Sequence, residues 1–208
     1  MSRIVKLGGA SGYWGESDMA WGQLLAAEKT GQKLDYIVFD YLAEITMSIM
    51  AKMRKSDPSR GYAPDFVPEL QEALASRYNV NRNNVLLASG STWLLQGAVR
   101  AYCNADKPLV TAGPTFSTSE GTARQIGAPI KQIPLDKDAR LDLDSMVAAS
   151  RGAGLVYFCN PNNPSGTVHG PQAIDKAVRA ILAASPDTHI HLDEAYIDYV
   201  THMTENNT

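Results

Sequence analysis

One stretch of this chain reads Asn160-Pro161-Asn162-Asn163-Pro164-Ser165-Gly166-Thr167. It follows the apolar run Gly154 to Cys159 and precedes the amphipathic segment Pro171 to Ala184, so it lies between a predicted strand and a predicted helix. Two prolines and a glycine restrict its backbone to a stiff turn, which holds an asparagine side chain in one orientation. An Asn-Pro pair alone would indicate an ordinary structural loop, whereas this longer stretch predicts a functional one.

Short apolar runs alternate with helical periodicity over the chain after residue 80. The predicted strands are Val85 to Ala88, Pro108 to Ala112, Pro129 to Leu135, Gly154 to Cys159 and His189 to Asp193. The predicted helices are Thr92 to Cys103, Ser117 to Ile126, Leu143 to Ser150 and Pro171 to Ala184. This alternation is typical of an α/β layered fold with a mostly parallel sheet flanked by helices, in which ligands bind at the carboxyl ends of the strands.

A second motif is the predicted strand His189 to Asp193, which is followed by a second acid and then by Tyr196. Asn163 and Asp193 are 30 residues apart, the length of one crossover unit. We therefore expect both at the ends of parallel strands and in the same cleft. A lone aspartate at a strand end is more often a helix cap, but the asparagine loop makes a ligand site the better prediction.

A third motif, Ser89-Gly90-Ser91-Thr92, follows the predicted strand Val85 to Ala88 and opens the next helix. Free backbone N–H groups at a helix start, with hydroxyls beside them, form a cup that suits a phosphate. An ordinary serine N-cap explains the same residues equally well.

The composition excludes several classes of partner. The formal net charge is -3, and no Lys/Arg cluster indicates a surface for nucleic acid. Cys103 and Cys159 lie far apart, without the spacing of a metal site or a disulfide framework. No stretch has the roughly 18 apolar residues of a membrane-spanning helix, and the N-terminus lacks the apolar run of a signal peptide. We therefore expect a cytoplasmic protein that binds small molecules, without nucleic acid, membrane or metal.

Together these motifs resemble the large domain of fold-type I pyridoxal-phosphate aminotransferases of class I/II, most closely the histidinol-phosphate aminotransferase branch, over roughly residues 66 to 200. The loop 160–167, the Asp193-Glu194-Ala195-Tyr196 strand end and the helix-like segment Glu69 to Val80 carry the resemblance. It implies pyridoxal 5'-phosphate as the cofactor and an amino acid or amino phosphate as the substrate.

The resemblance also implies roles for individual residues. Asn163 and Tyr196 would hydrogen-bond the phenolic oxygen of the cofactor, and Asp193 would pair with its pyridinium nitrogen, since a carboxylate stabilises the protonated ring. Phe116 takes the place of the aromatic residue that stacks on the ring, usually a tyrosine in this branch. The phosphate cup is formed by Gly90, Ser91 and Thr92.

The resemblance places the Schiff-base lysine of the family roughly 25 to 35 residues beyond the aspartate. No lysine follows Asp193, and the last one, Lys176, lies in a predicted helix with a surface position expected. We therefore assign no catalytic residue and expect the chain not to transaminate alone. A truncated sheet would expose an edge, so we expect a homodimer or association through that edge.

Residues 1–66 are similar to the start of the acyclic terpene utilisation family of the AtuA type, through Gly9 to Gly15 and Leu34 to Glu44. We therefore predict a chimera or fusion: an AtuA-like segment 1–66, a partial aminotransferase large domain 67–200 and a disordered tail 201–208. Two alternatives stay open. The chain is a non-catalytic interaction or scaffold module that keeps the sheet without the pocket, or it is a fragment of an AtuA-like catabolic protein.

Overall fold

The computed structural model describes residues 4–7, 36–39, 67–88 and 90–200. Within them lie strands β1 (Ile4–Leu7), β2 (Tyr36–Phe39), β3 (Leu109–Gly113), β4 (Ile130–Pro134), β5 (Leu155–Cys159) and β6 (His189–Asp193). The α-helices are α1 (Val67–Tyr78), α2 (Ser91–Tyr102), α3 (Thr118–Gln125), α4 (Leu143–Ala149) and α5 (Pro171–Ala184). Two short 3-10 turns are Arg82–Asn84 and Ile197–Tyr199.

The strands form one six-stranded sheet in the order β2-β1-β6-β5-β3-β4. Every neighbouring pair is parallel, so all carboxyl ends meet at one edge. Helices cover both faces of its central strands. The α/β fold with a parallel sheet, which the sequence predicts, is therefore confirmed.

Strand β5 lies in the middle of the core. Its residues Leu155, Tyr157 and Cys159 join a buried cluster with α2 on one face of the sheet. Val156 and Phe158 join a second cluster with α4 and α5 on the other face. Because both faces are covered, every residue of β5 is buried, which explains its continuous apolar run.

Helix α5 illustrates how local sequence defines an element. It starts with Pro171, which suits a first helical turn because the N–H missing from proline has no partner there. Ile174, Ala177, Val178 and Ile181 form its buried stripe at helical spacing. Both α5 and β6 have the predicted bounds. Among the described helices, none is long and apolar enough to cross a membrane.

The predicted strand Val85 to Ala88 is wrong. Val85 and Leu86 are buried, as a strand would require, but the segment joins no neighbouring strand. Val85 instead bonds outside the sheet: its N–H donates to the carbonyl of Arg82, and its carbonyl accepts from Gln71 Nε2 at 2.9 Å. An apolar run buried under helix α1 has the same sequence pattern as a strand.

Strands β1 and β2 extend the sheet on the β6 side. Leu7 of β1 pairs with Asp193 of β6, and β2 pairs with β1. The edges of the described sheet are therefore β2 and β4, and β6 has a neighbour on both sides. The glycine-rich stretch 8–15, most of the segment 1–66 and the tail 201–208 lie outside the described residues.

Candidate functional site

Asp193 is the last residue of β6, and its side chain is 3% exposed. Its Oδ2 accepts a hydrogen bond of 2.9 Å from the Tyr157 hydroxyl, and its Oδ1 accepts one of 3.1 Å from the backbone N–H of Ala195. Burial raises the pKa of the Asp193 carboxyl, while the two hydrogen bonds oppose that shift. Among the residues whose side chains the structure describes, no lysine, arginine or histidine forms an ion pair with it. A buried carboxylate is stabilised by a cationic or hydrogen-bonding partner.

The loop after β5 brings a second predicted residue to this edge. Asn163 Nδ2 donates a long hydrogen bond of 3.4 Å to the hydroxyl of Tyr196. Cys159, the last residue of β5, pairs in register with Asp193, and the Asn160 N–H donates to the Asp193 carbonyl at 2.9 Å. The structure therefore places Asn163 and Asp193 after neighbouring parallel strands, as the spacing of the motifs predicts, and it joins Asn163 to Tyr196.

The loop is held by its own side chains. Asn160 is 4% exposed and bonds His169 twice: Oδ1 accepts from the His169 N–H at 2.8 Å, and Nδ2 donates to its carbonyl at 3.0 Å. Thr167 Oγ1 donates to the carbonyl of Ala139 at 2.7 Å. Gly166 has a φ of 70°, a backbone conformation that glycine adopts at little cost. These contacts hold the loop in one conformation.

Asn162 joins this loop to the turn that carries Phe116. Its Oδ1 accepts a hydrogen bond of 2.7 Å from Thr115 Oγ1, and its Nδ2 donates to the carbonyl of Pro114 at 3.2 Å. Phe116 is half-buried and packs against the core cluster that contains α2 and β5. The predicted stacking residue is thus linked to the asparagine loop by a side chain, Asn162, that the sequence analysis did not single out.

The predicted phosphate cup lies at the start of α2. Its N-cap residue is Gly90, with a φ of 91°, and this residue offers no side-chain hydrogen bond to the first turn. The N–H groups of a helix start without a side-chain cap at its N-cap residue suit an anion. Ser91 is half-buried and Thr92 is exposed. Over the part of the chain that the structure describes, no hydrogen bond joins either hydroxyl to Asp193 or Asn163.

Sequence reasoning missed Tyr157, the hydrogen-bond donor to Asp193. Tyr157 is 1% exposed, and its ring meets the ring of His191 edge-on at 5.4 Å between centroids. Neither ring nitrogen of the fully buried His191 has a hydrogen-bond partner among the described groups, and burial lowers the pKa of this histidine to about 3. One signal was available, because a tyrosine inside an otherwise apolar buried strand needs an acceptor for its hydroxyl.

Lys176 is exposed on α5, which packs on the face opposite Tyr157. This surface position agrees with the sequence-based prediction. In the described ranges, no group of three or more His, Cys, Asp or Glu side chains could hold a metal ion.

The model of one protein family, aminotransferase class I and II, matches residues 39–206. The chain belongs to this family. The match includes the loop 160–167 and Asp193, and it begins inside the segment 1–66 that we compared with the AtuA type.

Several known proteins similar to this chain are aminotransferases. The histidinol-phosphate aminotransferase of Moorella thermoacetica is 38% identical over 133 residues, which are 64% of this chain and 33% of the relative. The aromatic amino acid aminotransferase of Nocardia farcinica is 35% identical over 134 residues, 64% of this chain and 37% of the relative. The chain spans about a third of the length of these curated relatives.

A solved structure extends the similarity to the fold. The crystal structure of histidinol-phosphate aminotransferase from Sinorhizobium meliloti in complex with pyridoxal-5'-phosphate has a TM-score of 0.64 and 28% identity to this chain. The alignment covers 73% of this chain and 41% of that one.

Proposed function

We propose that this chain binds pyridoxal 5'-phosphate at the carboxyl edge of its sheet. The observation that carries the proposal is Asp193, a buried carboxylate at the end of β6 that accepts two hydrogen bonds and has no cation partner among the side chains that the structure describes. A protonated pyridine nitrogen has the charge and the N–H that such a carboxylate lacks. The similarity to a solved aminotransferase that contains this cofactor supports the same ligand.

The other site residues fit the remaining parts of the cofactor. The polar groups of Asn163 and Tyr196, which already contact each other, suit the phenolic oxygen. Phe116 supplies an aromatic face, with packing beneath it that fixes its position. The start of α2 at Gly90, Ser91 and Thr92 suits the phosphate. When bound, pyridoxal phosphate supplies an electron sink for charge on the carbon next to a substrate amino group.

We further propose transamination of an amino acid or an amino phosphate as the activity of the complete site. The relatives act on different amino donors by their names, so the donor of this chain stays open. Lys176 is exposed on α5, on the face of the sheet opposite Tyr157. We therefore propose that the residues described above hold the cofactor noncovalently.

A cofactor titration tests the proposal. Absorbance and fluorescence of pyridoxal phosphate are followed against the wild-type chain, Asp193→Ala and the matched control Asp175→Asn, which removes an exposed carboxylate paired with Arg179 on α5. We expect saturable binding that weakens about tenfold or more in Asp193→Ala, as the loss of a charge-assisted contact implies, and an unchanged control.

Two results would contradict the proposal. Equal affinity of wild type and Asp193→Ala would remove Asp193 from the site, and a folded chain that binds no cofactor would favour the scaffold alternative. Borohydride reduction is expected to leave the cofactor unattached. Covalent attachment to any lysine would contradict noncovalent binding.

The origin of residues 1–66 is also a proposal. Their resemblance to the AtuA type supports a fusion, and the family match from residue 39 favours a join earlier than the predicted one. Strands β1 and β2 add to the aminotransferase-like sheet, so this segment supports the edge on which Asp193 lies.

We also propose a cytoplasmic chain that associates with itself through a sheet edge or as a homodimer. Edge strand β4 contains the exposed Lys131 and Gln132 and ends in Pro134, three features that oppose edge-to-edge pairing. The opposite edge, β2, is therefore the better candidate. Sedimentation of the chain at several concentrations tests this, and a monomer throughout would contradict it.

A further inference from the structure

Tyr157 lies in the middle of β5, the strand next to the one that ends in Asp193. Its hydroxyl donates to Asp193 Oδ2 at 2.9 Å, and both side chains are almost fully buried. A hydrogen bond to an ionised carboxylate is stronger than one between neutral groups, and burial strengthens it further. This contact is therefore a major stabiliser of the charge on Asp193.

Three titratable side chains near the carboxylate do not supply positive charge: His191, Cys159 and Tyr157. Burial lowers the pKa of His191, on the same strand, to about 3, so its ring is neutral over the physiological range. Burial, with the Asp193 charge second, raises the pKa of the Cys159 thiol on β5, so it also stays neutral. Burial and the neighbouring Asp193 likewise raise the pKa of Tyr157 well above its ordinary value, which keeps its hydroxyl a donor.

The two hydrogen bonds on Asp193 also define the orientation of the carboxyl group. Tyr157 holds Oδ2, whereas the Ala195 N–H holds Oδ1, so rotation about the last side-chain bond would break both contacts. Each oxygen keeps a further lone pair for a ligand.

We propose that Tyr157 is a positioning residue for the cofactor ring nitrogen, because it keeps Asp193 ionised and aimed at the edge of the sheet. The inference rests on the proposed function, since it assigns a role toward the same ligand. It makes the ring-binding carboxylate a two-residue unit, Tyr157 with Asp193, built from neighbouring parallel strands.

The first test needs no cofactor. The carboxyl carbons of the aspartates are labelled with ¹³C, and the Asp193 signal is assigned as the one that Asp193→Asn removes. We expect Tyr157→Phe, which keeps the aromatic ring against His191 and removes only the hydroxyl, to move the titration of Asp193 to higher pH. A midpoint that stays in place would overturn the proposal.

The second test uses pyridoxal phosphate, titrated over a range of pH. Loss of the Tyr157 hydrogen bond should weaken binding about tenfold or more. The pH below which the affinity falls, the acid limb of the profile, should also move upward, because Asp193 then takes up its proton at a higher pH. A merely structural defect would lower the affinity evenly at every pH. With ¹⁵N-labelled cofactor, the ring nitrogen signal should shift toward that of neutral pyridine.

The matched control is Ser150→Ala, which also removes one buried hydroxyl, bonded to the Val147 carbonyl at 2.7 Å, before the amino end of β5. This variant should change neither the titration midpoint of Asp193 nor the pH dependence of cofactor affinity. On an Asp193→Asn background, Tyr157→Phe should have little further effect on affinity, which keeps the test valid when Tyr157→Phe lowers stability.

The outcomes separate the two proposals. A wild-type chain that binds no cofactor overturns the proposed function and the role toward the ring nitrogen. Wild-type binding with an unmoved acid limb in Tyr157→Phe overturns only the inference about Tyr157.

Discussion

His191 should make this protein sensitive to acid. It lies in β6 and is fully buried, and neither ring nitrogen has a hydrogen-bond partner in the part of the chain that the structure describes. Burial lowers its pKa from 6.5 to about 3. We predict that His191→Leu, which fills a similar volume with an apolar side chain, makes the free energy of unfolding less dependent on pH between these values.

The size of the effect follows from the proton count. Between pH 6.5 and about 3 the unfolded chain carries a proton on His191 that the folded chain does not. The free energy of unfolding of the wild type therefore falls by about 1.4 kcal/mol for each unit that the pH falls. Over the whole interval this contribution amounts to about 5 kcal/mol, of the same order as the stability of a small domain.

Urea denaturation at pH 7, 6, 5 and 4 measures the difference between the two proteins. Other groups, including Asp193, titrate in both and cancel in that difference. We expect His191→Leu to be at least as stable as the wild type at pH 7, because two buried polar ring atoms are removed. Below about pH 6.5, the difference in the free energy of unfolding should increase steadily in favour of the variant.

A second variant, His191→Phe, keeps an aromatic ring against Tyr157 and should show the same change in slope. Parallel stability profiles of wild type and both variants would refute the reasoning, since they would mean that the fold does not keep this ring neutral.

Two further predictions concern the site. Because burial raises the pKa of Asp193, the contribution of this one group to the free energy of unfolding is most favourable below the ordinary value of 3.8 and becomes less favourable as the pH rises. Asp193→Asn should thus be about 1 kcal/mol or more stable than wild type at pH 7 in urea denaturation without cofactor, and a destabilised variant would contradict this. Asn160→Ala removes two hydrogen bonds to His169 and should cost about 2 kcal/mol. It should also weaken cofactor binding, which calorimetric titration measures, and unchanged values for both would mean that the loop does not depend on this side chain.

Local sequence was enough to locate most elements and the main candidate residues. Helix α5 repeats apolar residues at helical spacing between a starting proline and a polar end, and strand β6 is a short apolar run that ends at an aspartate. Asn163 and Asp193 were predictable as neighbours for a topological reason: one crossover unit separates them, and such a unit returns the chain parallel to itself.

Contacts between residues distant in sequence were decided only in the tertiary structure. The hydroxyl of Tyr157 reaches Asp193 across 36 positions of the chain, and Asn162 reaches Thr115 across 47. The run Val85 to Ala88 has the apolar pattern of a strand, yet its burial comes from α1 and the core rather than from the sheet. A sequence pattern reports which side chains avoid water, but it does not contain the strand order and register that choose their partners. For that reason the sequence identified the carboxylate of this site, and only the fold revealed the tyrosine that holds it.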